Sequence, residues 1–180
     1  MTLNDILVSA LAQLDRGHDA QTMEVYRDRL MDYANDAQSD IARAICFTRK
    51  ETVTPSNGLV DLGTLSYDCI KVVKAEQLGR EVRFIQSQTG LIALPYNERA
   101  TITYRCEPKR LLSPTDVSEL PAHTHGLMTL YIVGRERMAG DQSTQSGANI
   151  YLSMYEAAKA RLRPHVGESR AYEITNRWEA

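Results

Sequence analysis

Two histidines, His123 and His125, stand one residue apart in this 180-residue chain, a spacing that could serve a metal ion. On a strand an i, i+2 pair projects to one side, as two ligands must. Pro121 and the apolar run from Leu127 to Met138 instead place both residues in the first turn of a helix, where such positions diverge. No metal is expected there. His18 and His165 lie singly beside loops. Cys46, Cys69 and Cys106 are odd in number, far apart and without a Cys-x-x-Cys pair, so they are expected to be small buried apolar residues. The chain has no nucleophile elbow, no glycine-rich phosphate loop and no His-Glu-x-x-His pattern, and the sequence predicts neither an enzyme nor a cofactor.

The most unusual spacing is acidic. Glu24, Asp28, Asp32, Asp36 and Asp40 recur every fourth residue, and like charges so placed cost an isolated helix about 0.2–0.5 kcal/mol per pair. Arg27, Arg29 and Arg43 relieve part of that repulsion. At about 100° per residue the series falls opposite the apolar stripe of the same helix. It is either a plainly solvated face or a negative wall facing a channel or groove, past which DNA slides without sticking. A second cluster lies in residues 166–180, where Tyr172, Ile174 and Trp178 are spaced among charged residues. Sparse aromatic anchors of this kind suit docking into a partner's groove, the other reading being that the segment packs back on its own domain.

The elements that carry these residues follow from periodicity. Leu3, Ile6, Leu7, Ala10, Leu11 and Leu14 give a helix over about 3–15, ended near Gly17. Met23, Tyr26, Leu30, Tyr33, Ala34, Ala37, Ile41, Ala44 and Ile45 give a long one over 19–47, with an apolar stripe about 120° wide that requires a partner helix. At Thr48 the pattern changes to turn residues and β-branched runs. Strands are expected over 68–75, 81–85, 91–94 and 100–106, with a turn over Gln77 to Arg80, inside a β insertion of about 50–108. Helices return over 121–139, with Leu127, Leu130, Tyr131, Gly134 and Met138 as a face, and over 142–163, until Pro164. The expected fold class is α+β: two N-terminal and two C-terminal helices forming a four-helix half, a small inserted antiparallel β subdomain, and an extended C-terminal tail. Residues 1–165 form one domain and 166–180 a docking tail.

A net charge of −2 argues against a protein whose main task is gripping nucleic acid. The start of the chain is too polar for a signal peptide, and no run of about 18 apolar residues could cross a bilayer, so a soluble intracellular protein without membrane contact is expected.

Taken in order, these segments resemble the head-to-tail adaptor (connector) proteins of tailed bacteriophages. The most specific stretch runs from Leu120-Pro121 to Leu162 and includes His125 to Met128, Tyr131 to Arg137, Gly140-Asp141 and Tyr151 to Glu156. It is similar to the family's paired C-terminal helices. Leu62 to Val73 looks like the family's entry strand, and Thr101 to Tyr104, followed by Pro108, like its exit. The resemblance implies a non-enzymatic virion protein at the head-tail junction, assembled in the host cytoplasm. Its copies, about twelve, would form a ring that binds the portal protein, receives a stopper or tail-completion protein, and leaves a central channel for DNA. A DNA-binding or regulatory module and a small hydrolase are the competing classes.

Overall fold

Thr2 opens the first helix through a reciprocal cap. Its hydroxyl accepts from the Asp5 N–H (3.2 Å), and the Asp5 carboxylate accepts from the Thr2 N–H (2.9 Å). The computed structural model describes residues 1–17, 19–87, 89–140 and 142–162, apart from the side chains at 142–144 and 146. Helix α1, Leu3–Gln13, buries Leu3, Ile6, Leu7, Ala10 and Leu11. It stops before Gly17, because Asp15 takes a left-handed conformation (φ 55°) and lets Arg16 N–H reach the Leu11 carbonyl at 3.0 Å. Asp is one of the few residues besides Gly that tolerates this geometry. Helix α2, Ala20–Ala44, is capped by Asp19 and ends the same way, with Cys46 at φ 53° and Phe47 N–H on the Ala42 carbonyl at 2.8 Å. Its 25 residues span about 37 Å.

The insertion between α2 and the C-terminal helices consists of two antiparallel sheets. One has the order β1-β7-β3-β4 and the other β2-β6-β5, where β1 is Thr48–Val53, β2 Leu59–Asp61, β3 Cys69–Gln77, β4 Arg80–Val82, β5 Ile85–Gln86, β6 Leu91–Ala93 and β7 Ala100–Cys106. The expected alternation in β7 is present: Ala100, Ile102, Tyr104 and Cys106 are buried, whereas Thr101, Thr103 and Arg105 are not. Val72, Ala75 and the second sheet's Val60 and Ile92 join the same apolar cluster. Strands β1 and β2 are not evident from the sequence. In β1 three successive charges, Arg49, Lys50 and Glu51, hide the alternation.

Strands β3 and β4 are joined through Leu78 and Gly79, at φ 53° and 73°. Two positive φ values make the type I′ turn whose twist matches a hairpin, and Asn suits its first position far better than Leu. Leu78 is also 70% exposed, so its side chain gains nothing from burial. Leu78→Asn is therefore expected to stabilise the protein by about 0.5–1 kcal/mol, seen as a higher urea midpoint at unchanged slope.

Asn35 and Gln38 of α2 clasp the chain as it leaves the sheets. The Asn35 amide donates to the Leu111 carbonyl (3.0 Å) and its oxygen accepts from the Leu111 N–H (2.8 Å). The Gln38 amide donates to the Lys109 carbonyl (2.9 Å) and its oxygen accepts from the Ser118 hydroxyl (2.8 Å). After a 3-10 turn, Ala122–Thr124, helix α3 covers His125–Met138 and helix α4 covers Gln142–Lys159. Helix α3 touches α1, α2 and α4, so the sequence-derived face is too narrow. Its most buried residues are His125, Met128, Thr129, Ile132, Val133, Gly134 and Glu136, while Met138 is exposed. The architecture is thus four helices with a small antiparallel β region inserted between the second and third.

Candidate functional site

The acidic series does not lie on one straight line. Residues four apart advance about 40° on an α-helix, so Asp40 stands about 160° round the axis from Glu24. Glu24, Asp28, Asp32 and Asp36 are exposed, with Val25 (71% exposed) among them. Asp32 meets Arg110 at 3.4 Å, a pair exposed on both sides and therefore weak. Asp40 has rotated toward α4. Its carboxylate accepts from the Tyr155 hydroxyl (2.5 Å) and from the Lys159 ammonium (2.7 Å). Burial opposes ionisation of Asp40, but the hydrogen bonds from Lys159 and Tyr155 outweigh it and hold its pKa below the usual carboxylate value. Burial, then the Asp40 bond, pushes the Tyr155 phenol upward. Tyr155 is fully buried and stacks edge-on against Tyr131, with ring centroids 5.1 Å apart. No solute can reach that hydroxyl, so the cluster ties α4 to α2, and the open acidic flank narrows to four residues.

On the same side as Asp40, Arg29 reaches the buried Glu136 of α3 at 2.6 Å. The other carboxylate oxygen of Glu136 has no partner.

The sheet adds a feature that the linear sequence does not reveal. Register aligns Thr48 with Arg105, Lys50 with Thr103, Lys71 with Arg105 and Lys74 with Thr103, which gathers four cations at one end of its outer face. Lys74 also bonds Glu76 at 2.6 Å. Behind the sheet, Glu51 accepts from the Tyr104 hydroxyl and from Ser66, while Glu119 accepts from the Tyr67 hydroxyl (2.5 Å) and meets Arg49 at 3.1 Å. Burial works against ionisation of both carboxylates, and these hydrogen bonds more than offset it. The network pairs the charges that β1 turns inward, leaving the buried Arg49 Nε without a hydrogen-bond partner; Tyr104 itself is buried.

The remaining candidates separate. His125 is buried and its Nε2–H donates to the Leu120 carbonyl (3.0 Å), while His123 is exposed. Burial, then the Met1 ammonium, lowers the His125 pKa, so His125 is a packed and neutral residue. Among the described residues no group of three or more His, Cys, Asp or Glu could hold a metal ion, and no helix is long and apolar enough to cross a membrane. Of the three cysteines only Cys106 is fully buried; Cys46, placed by its helix-ending role, and Cys69 are partly exposed, which corrects their reading as core residues. The anchors Tyr172, Ile174 and Trp178, with the whole of 166–180, lie outside the described residues. Helix α4 presents Ile150 (62% exposed) and Met154 (51% exposed) one turn apart on its outer side. Comparison with protein-family models finds no match, and comparison with curated proteins finds none either.

Proposed function

We propose that this chain is a structural subunit of a tailed-phage virion, a head-to-tail adaptor whose copies form a ring on the portal protein and receive a stopper or tail-completion protein, with DNA passing through the centre. The element order described above supports this reading, as does the resemblance of residues 120–162 to the family's paired C-terminal helices. The observation that carries it is the acidic flank of α2, with Glu24, Asp28, Asp32 and Asp36 exposed on a helix whose other side is packed. Repeated around an axis, such a flank becomes a strong negative field that repels phosphates and keeps DNA from adhering. The β insertion and the tail anchors Tyr172, Ile174 and Trp178 serve contacts with neighbouring subunits or the portal.

Reversing the charge at Asp32 and Asp36 tests the role of the flank. Asp32→Lys with Asp36→Lys should leave subunit stability within about 1 kcal/mol, since exposed charges carry little energy. Assembled particles bearing both changes should deliver DNA poorly and lose infectivity. Full infectivity of a folded double variant would mean that the flank is only a solvated surface.

A further inference from the structure

Cys69 of β3 and Cys106 of β7 are direct cross-strand partners, the last matched pair at their end of the ladder. Cys106 N–H donates to the Phe47 carbonyl (3.2 Å), toward β1, and the N–H and C=O of a strand residue point the same way. Toward β3, then, Cys106 sits in a pair without its own hydrogen bonds, the closely spaced type with Cα atoms about 4.5 Å apart. That falls within the roughly 4.4–6.8 Å that a disulfide spans. Opposed residues share a face, so both thiols lie on the inner side of the sheet. Access is one-sided: Cys106 is buried, whereas Cys69 lines an open pocket of about 440 Å³ together with Leu62, Tyr67 and Ser87.

We propose that Cys69 and Cys106 are a reversible dithiol–disulfide pair, closed by exchange with a small-molecule disulfide of the glutathione type that enters at Cys69. The Cys69 thiolate attacks one sulfur of the reagent, its S–S bond breaks, and one thiol departs. The Cys106 thiolate then attacks the Cys69 sulfur, forming the protein S–S bond and releasing the second thiol. Two protein thiols give up two electrons and two protons, and the reagent takes up both as its two released thiols. Burial raises both protein thiols, Cys106 to about 11, so neither is a thiolate at neutral pH and closure is slow. Ladder irregularities between Cys69 and Lys71 and between Val72 and Lys74 weaken β3 at this end, and the bond would pin the strand there. In a reducing compartment the pair stays open; outside it, the pair closes. That use, in a particle leaving its host, rests on the proposed function, whereas the chemistry does not.

The test is to incubate the reduced, folded protein with oxidised glutathione, quench the thiols with acid, and map tryptic peptides without reduction. The expected product has lost two hydrogen atoms and joins the peptide ending at Lys71 to the one beginning at Cys106, with unchanged circular dichroism. Its melting temperature rises by roughly 5–10 °C. In Cys106→Ser the intermediate should be trapped as a lasting glutathione adduct on Cys69. A persistent Cys69 adduct in the unaltered protein, a bridge involving Cys46, or no reaction at Cys69 and Cys106 would each overturn the proposal.

Discussion

Replacing Gly134 with valine is expected to destabilise the protein by about 3 kcal/mol or more, lowering its melting temperature by roughly 6–12 °C. A Cβ on Gly134 would lie 2.7 Å from Leu152 Cδ2, 2.8 Å from its Cγ and 3.4 Å from its backbone nitrogen. The first two are closer than carbon atoms can pack, and the Cγ cannot swing away as a chain end would. Helices α3 and α4 must then separate, loosening Ile132, Val133 and Tyr155 in the shared core. Helix propensity works the other way, favouring most residues over Gly by up to about 1 kcal/mol, and it is too small to win here. If the close approach is the cause, Gly134→Val combined with Leu152→Ala should recover most of the loss. A double variant no more stable than Gly134→Val would place the cause elsewhere.

Asn35→Ala should cost about 2–4 kcal/mol, through a different mechanism. Leu111 is buried, and the Asn35 side chain serves both its N–H and its carbonyl. Removing it leaves two backbone groups without partners, each carrying a penalty of about 1–3 kcal/mol. Hydrogen exchange distinguishes this from general loosening. The Leu111 amide should exchange faster even in conditions where β7 amides keep their protection, because the clasp on residues 109–118 opens before the sheet does.

How far the sequence reveals this molecule depends on the range of the interaction concerned. The α2 stripe and the β7 alternation are local patterns, and each describes a face that the structure buries. The ends of α1 and α2 are less legible, since Asp15 and Cys46 adopt left-handed conformations where glycine is the usual signal. Strand β1 is hidden because Arg49 and Glu51 turn inward to meet Glu119, Tyr104 and Ser66, all distant in sequence. Helix α3 reads poorly for a related reason: surrounded by three helices, it has no single stripe to detect. At the candidate site, the acidic repeat is plain in the sequence, but the departure of Asp40 from it depends on helical drift and on Tyr155 and Lys159. The basic end of the sheet and the Cys69–Cys106 pair depend on cross-strand register, which no local pattern encodes.

The proposed role as a ring-forming adaptor is tested most directly by electron microscopy of the purified protein mixed with a tailed-phage portal oligomer encoded beside it. A ring of additional density is expected on one face of the portal, with the subunits in register with those of the portal and an open axial channel lined or flanked by α2. A portal that stays bare beside dispersed subunits, at concentrations well above those of stable complexes, would contradict it.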